Sequence, residues 1–236
     1  SAASDVYKRQ LNDKSVEGLA KVAGSDRFAW DSYRRLIQMF GKTVQDIDGD
    51  LFSDALDNMK KNRGAKADTD LNASDLKELT AQFKEIVKEQ TGKPFPQDPR
   101  TQMDMAIEAV FRSWNSERAR IYRRRERIPH DLGTAVNIVT MVFGNMGEDS
   151  GTGVCFTRDP SSGRPGVYGD ILMNAQGEDV VAGIRNTETL KDLEGHDKKS
   201  YDELLGIMRK LETHYEDMCD IEFTICLLYT SDAADE

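Results

Sequence analysis

GTAVNIVTMVFGNMGEDSGTGVCFTRDP (residues 133–160) is where the character of the chain changes. Its opening run, GTAVNIVTMVFG, is rich in β-branched side chains, and GVCFTRDP carries the same signature, so both are expected to be strands. Between them GNMGEDSGTGV (144–154) holds Gly144, Gly147, Gly151 and Gly153, with Ser150 and Thr152 among them. Glycines let backbone N–H groups approach an anion closely and hydroxyls add donors, so such a loop can cover phosphates. It is not of the Walker type, because no Gly-Lys-Ser/Thr opens a helix. Taken alone, the pattern also describes an ordinary glycine-rich hairpin.

Upstream of this stretch the sequence reads as helices. RFAWDSYRRLIQMFGKTV sets Tyr33, Leu36, Ile37 and Phe40 on one face, and LFSDALDNMKK does the same with Leu51, Ala55, Leu56 and Met59 before Gly64. NASDLKELTAQFKEIVKEQTG opens on Asn72 or Ser74 as a cap and closes at Gly92. Pro94, Pro96 and Pro99 then interrupt the helical pattern. That interruption is the expected boundary between a helical subdomain, 11–96, and an α+β subdomain, 97–225. Two more helices follow, one with Met103, Ile107, Val110, Phe111 and Trp114 as its apolar side, and one within SERARIYRRRERI, which ends before Pro129. The arginine run of the latter reads as a solvated helix face.

Downstream, VYGDILMNA continues the strands, and Tyr201, Leu204, Leu205, Met208 and Leu211 mark a helix that Ser200 and Glu203 are placed to cap. NAQGEDVVAGIR (174–185) puts Gln176, Gly177, Glu178 and Asp179 between apolar segments, which suits a ligand loop or an acidic surface turn. CDIEFTI alternates, with Asp220, Glu222 and Thr224 on one side and Ile221, Phe223 and Ile225 on the other. Two carboxylates on one strand face, ~7 Å apart, can hold a Mg²⁺ that carries a polyphosphate. The same alternation also describes a strand with one solvated face.

Composition narrows the choices. A net charge of -10 speaks against a nucleic-acid binder, which usually shows a basic footprint, but not against a nucleotide ligand. No apolar run reaches the roughly 18 residues of a membrane helix. Cys155 and Cys219, isolated within strand-like runs, suit a reduced, cytoplasmic protein. His130, His196 and His214 are scattered, with no nucleophile or ligand spacing beside them.

The two ends differ from the rest. One permitted codon choice for SAASDVYKRQ (1–10), reverse-complemented and read from its second base, encodes Cys-Leu-Leu-Tyr-Thr-Ser-Asp-Ala-Ala and then Asp or Glu. That is the order of Cys226 to Asp235. The underlying DNA resembles a transposase-type sequencing adapter, so 1–10 and 226–236 are read as technical tails and the remainder as an internal fragment.

In this order, RFAWDSYRRLIQMF, FPQDP, AVFRSWNSERARIYRR, GTAVNIVTMVFGN, GEDSGTGVCFTRDPSSG, NAQGEDVVAG and DIEFTI resemble the nucleotide-binding domain of the pyruvate, phosphate dikinases, an ATP-grasp-type domain. The resemblance implies a helical subdomain followed by part of an ATP-grasp-like antiparallel sheet with helices. It implies binding of MgATP and transfer of a phosphoryl group to a histidine on a separate domain, with pyruvate bound on a third. Carried over to this chain, Gly151, Thr152 and Gly153 would cover the phosphates and Glu178 would meet the ribose. Asp220 and Glu222 would stand at the Mg²⁺–phosphate end as metal and catalytic residues. The related enzymes often have Gln where this chain has Val139, so a base contact there would fall to the backbone. A lysine and an arginine of the family would precede Leu11, and a Gln and an Arg would follow Ile225. The fragment is therefore expected to be inactive alone, and its sheet, lacking the next strand, to be poorly soluble. Phosphoenolpyruvate synthase is the alternative enzyme, and a non-catalytic helical interaction module the alternative of another class.

Overall fold

The structure, a computed structural model, describes residues 11–226 apart from 140, 182 and 184. It divides into two compact units, one running to Met141 and the other starting at Val142. The division lies well beyond the proline-rich stretch expected to mark it. Pro99 there starts a helix, where its missing N–H costs nothing, and Ala106 of that helix joins the first unit's core.

The first unit comprises α1 (Ser15–Ala23), α2 (Asp26–Val44), α3 (Gly49–Arg63), a 3-10 turn (Asp68–Asp70), α4 (Ala73–Thr91), α5 (Pro99–Ser113) and α6 (Glu117–Arg125). Local signals set the ends. Asn72 caps α4 by accepting from the N–H groups of Ser74 and Asp75, while Gly64 and Gly92 close α3 and α4 in the left-handed conformation. The expected face of α2 is buried, and it packs in one cluster with Leu76, Leu79, Phe83 and Val87 of α4. On α3 the inward residue is Phe52, not Leu51, which is exposed; Phe52 meets Phe83 edge-on at 5.1 Å between ring centroids. On α5 the buried residues are Gln102 and Ala106, whereas Phe111 stays half exposed.

The second unit carries β1 (Ser150–Arg158), β2 (Pro165–Met173), α7 (Gly177–Val181), β3 (Glu188–Thr189), a 3-10 turn (Leu190–Asp192), α8 (Leu193–His196), α9 (Lys198–Tyr215) and β4 (Asp220–Cys226). The four strands form an antiparallel sheet in the order β3-β2-β1-β4. Helix α9 covers one face through Tyr201, Leu204 and Met208, which cluster with Cys155, Ile171, Leu190 and Leu193, and Ile221, Phe223 and Ile225 pack against them. Its cap is Asp197, which accepts from the Ser200 N–H, one turn before the box that the sequence suggests.

Two further expectations differ. The described residues of 133–143 form no strand, and Ile138 and Val139 are half exposed. A β-branched run becomes a strand only where a neighbour accepts its backbone ladder, and β1 is already paired on both sides. Cys226, assigned above to a technical tail, is the last residue of β4, buried and opposite Ser150. Backbone pairing needs only extended chain beside an open edge, whatever the codon's origin. The rest of both tails, 1–10 and 227–236, lies outside the described residues.

Candidate functional site

Register decides which side chains of the sheet share a face. Thr152 stands opposite Thr224 on one side and Leu172 on the other; Val154 stands between Glu222 and Asp170, and Phe156 between Asp220 and Tyr168. Asp220, Glu222 and Thr224 thus lie with Thr152 on the face away from α9, and all three are exposed. The alternation read from CDIEFTI is present. The same face also holds Asp170, a third exposed carboxylate that sequence reasoning missed. The period-2 pattern of VYGDILM contained it, but only the pairing of β2 with β1 places it beside the β4 carboxylates.

Thr152 is buried, and its hydroxyl donates to the carbonyl of Phe223 at 3.0 Å, with Thr224 Oγ1 at 3.5 Å. Its remaining capacity is as an acceptor. Gly151 and Gly153 sit inside β1 rather than in a loop. A Cβ at Gly153 would meet the Asp170 carbonyl at 2.4 Å and the Phe223 ring at 2.6 Å, and one at Gly151 would meet Met173 Sδ at 2.9 Å. Close packing around the central strand therefore accounts for these two glycines. The glycine loop that remains free of the ladder precedes Ser150.

That loop and the segment 174–179 are bound to each other. The Ala175 N–H donates to the Gly144 carbonyl at 2.8 Å and the Asn174 N–H to that of Ser150 at 2.7 Å. Gln176, buried, donates from Nε2 to Asn145 Oδ1 at 3.1 Å. Gly177 opens α7 next to Thr152, a Cβ there falling 3.9 Å from the threonine oxygen, so Glu178 follows at the Thr152 end of the sheet. The fold thus gathers Thr152, Thr224, the 144–149 loop and the start of α7 at one end of the face. Glu222 and then Asp220 are aligned further along it.

Asp220 and Glu222 stand on this face as exposed acids. Among the described residues neither Asp220 nor Glu222 takes part in a salt bridge, and no group of three or more His, Cys, Asp and Glu could enclose a metal ion. On the other side of the sheet, burial pushes the Cys155 thiol up to about 11, with the Asp220 charge adding to the rise. Cys155 is thus an inert core residue. A cavity of about 850 Å³ lies on that side too, between α9 and the β1–β2 ribbon, lined by Val167, Leu205, Met208 and Met218 among others. It is not part of the carboxylate face. The histidines are engaged locally: His130 accepts from Arg123, and His196 contacts Glu188 at 2.5 Å. Of the α6 arginines, Arg123 is buried over the Trp114 ring at 3.9 Å, while Arg118, Arg120, Arg124 and Arg125 are exposed. No helix among the described residues is long and apolar enough to cross a membrane.

A helical unit followed by an antiparallel sheet with one helix-covered and one acidic face defines an α+β protein of the ATP-grasp-like kind. Residues 53–197 match the family "Pyruvate phosphate dikinase, AMP/ATP-binding domain", and that match covers more than half of the chain. The chain belongs to this family. It is 53% identical over 216 residues to a pyruvate, phosphate dikinase of Clostridium symbiosum and 54% identical over 215 residues to the chloroplastic pyruvate, phosphate dikinase 1 of Oryza sativa subsp. japonica. The corresponding enzyme of Giardia intestinalis is 51% identical over 220 residues. Each alignment takes in 91% of this chain but only 25%, 23% and 25% of the respective relative, so the chain spans about a quarter of their length. The family match ends before β4, whereas most of the chain is aligned with each relative.

Proposed function

We propose that this chain is the nucleotide-binding part of a pyruvate, phosphate dikinase, which converts ATP, phosphate and pyruvate to AMP, diphosphate and phosphoenolpyruvate. The observation that carries the reading is the sheet face itself. It runs from the buried Thr152 and the exposed Thr224 to the exposed Glu222 and Asp220, with the glycine loop and α7 at its Thr152 end.

On this reading the triphosphate lies along β4 and Glu178 meets the ribose. The phosphate end passes the Thr152–Thr224 pair and the 144–149 loop, whose glycines leave the backbone uncovered. Gly151 and Gly153 contribute by letting the strands close beneath it. Asp220 and Glu222 fit Mg²⁺: two exposed carboxylates one pleat repeat apart, uncommitted to internal cations, leave room for the waters and phosphate oxygens that this ion keeps. The ion would supply neutralisation of phosphate charge, which is the main task in phosphoryl transfer. The protein's own part is to hold the chain of phosphates in line and to keep water-exposed carboxylates where that charge must be balanced. The phosphoryl group would pass to a histidine on another domain of the parent enzyme, and pyruvate would bind on a third. With a quarter of the relatives' length, the chain is inactive by itself on this reading, and its setting is the cytoplasm.

Calorimetric titration of the chain with ATP tests the proposal. MgATP is expected to bind, and Glu222→Gln together with Asp220→Asn to weaken MgATP at least tenfold while changing metal-free ATP much less, about the effect of losing charge-assisted contacts. Equal affinity of the double variant for MgATP, or formation of phosphoenolpyruvate by the isolated chain, would refute it. Absence of any nucleotide binding would favour the helical interaction module.

A further inference from the structure

A part-buried side-chain hydrogen bond ties the glycine loop to the segment that opens α7. Gly144 is held by backbone: Ala175 donates to its carbonyl, and a Cβ at Gly144 would lie 2.4 Å from the Ala175 oxygen and 2.8 Å from that of Gly151. Beyond Gly144 the loop leaves that seam, and side chains of the 174–176 segment reach it. Asn174 Nδ2 donates to Glu148 Oε1 at 2.9 Å, but this bond is exposed to water, which competes for it. Gln176 Nε2 donates to Asn145 Oδ1 at 3.1 Å from a side chain only 5% exposed. Gln176 is itself fixed at the start of α7, because its N–H donates to Asp179 Oδ2 and its carbonyl accepts from the Asp179 N–H, each at 2.9 Å.

We propose that Gln176 is a positioning residue that locks the 144–149 loop in register with α7, so that the phosphate end and the ribose end of the site form one rigid receptor. The inference rests on the nucleotide reading above. Gln176 need not touch the nucleotide. Its amide joins the loop to the first turn of α7, and a part-buried amide–amide bond resists their separation more than an exposed one. A ligand that spans both halves gains from their fixed spacing, whereas a ligand of one half does not.

The test is calorimetry on the 236-residue chain, comparing wild type with Gln176→Ala, Asn145→Ala and the double variant, and following thermal midpoints in parallel. The ligands are MgATP, AMP and inorganic tripolyphosphate. Each single substitution is expected to weaken MgATP roughly tenfold, the double no more than either single, and AMP and tripolyphosphate to move by no more than about twofold. If a folded Gln176→Ala chain binds MgATP as wild type does, the inference is wrong. It is equally wrong if all three ligands weaken in the same proportion, which simple loosening of the unit would produce. Should Gln176→Ala fail to fold, Asn145→Ala decides by the same criteria. A wild-type chain that binds no nucleotide overturns the functional reading and this inference with it. A wild type that binds and a variant that binds equally well overturns the inference alone.

Discussion

Asp31 is a buried carboxylate among arginines. Only 3% of it is exposed; its carboxylate meets Arg34 at 2.5 Å and Arg35 at 3.1 Å, and Arg34 reaches on to Asp68 at 3.2 Å. Burial by itself would raise its pKa, but the charges of Arg34, Arg35 and Arg27 outweigh burial and hold it at about 2. The folded value lies below the unfolded one of about 3.9, so the resulting stability is complete above pH 4 and lost as pH falls through 2. The first unit is therefore expected to lose about 2–3 kcal/mol over that window from this residue. Asp31→Asn should cost about 3 kcal/mol at neutral pH, because it takes from the buried Arg34 guanidinium its nearest counter-charge, and should flatten the acid limb. Urea midpoints of both chains from pH 2 to 7 measure this; parallel acid limbs would contradict it. The reading of RFAWDSYRRLIQMF took in only its apolar face, Tyr33, Leu36, Ile37 and Phe40, and did not reach this cluster. Arg34 goes inward because Asp68, far along the chain, arrives beside it, and sequence spacing does not display such a partner.

For the individual elements, β1 shows how packing and site are joined. As an inner strand it is paired on both sides, and a Cβ at Gly153 would meet both β2 and β4. Gly153→Ala drives a methyl into the Asp170 carbonyl and the Phe223 ring, an overpacking expected to cost about 1–3 kcal/mol. The displaced strands would carry Asp170 and Glu222 with them. Gly18→Ala is the contrasting case: it lies within α1 with nothing within 4 Å of the new methyl, and should stabilise by about 0.5–1 kcal/mol. Thermal midpoints shifted in opposite directions would bear this out, and a neutral Gly153→Ala would refute the packing account. The same strand shows what was legible. Period-2 alternation in CDIEFTI and helical spacing in α2 and α4 survive into the structure, because a face buried on one side imposes its period on the sequence. The run 133–143 did not become a strand, since strand formation depends on a partner that no local pattern reveals. Likewise the glycines of 144–154 looked like one loop. Two of them are in a strand, because the need for a missing Cβ arises equally from a close ligand and from a close neighbour.

For the whole molecule, the two units rest on cores of unequal size. Twenty buried residues form the cluster of the first and seven that of the second, among the described residues. Apolar burial is the main favourable term in folding, so the sheet unit should be the less stable of the two. Its outer strand β4 adds to this, being paired only with β1 among the described residues. Both tryptophans, Trp30 and Trp114, lie in the first unit, so their fluorescence reports the helices alone. Hydrogen exchange of the β1 and β4 amides reports the sheet. In urea the sheet is expected to open first, at a concentration where tryptophan emission is still native, and MgATP should shift the sheet's midpoint upward by mass action while moving the fluorescence transition less. Coincident transitions by both probes would mean that the units fold as one cooperative body.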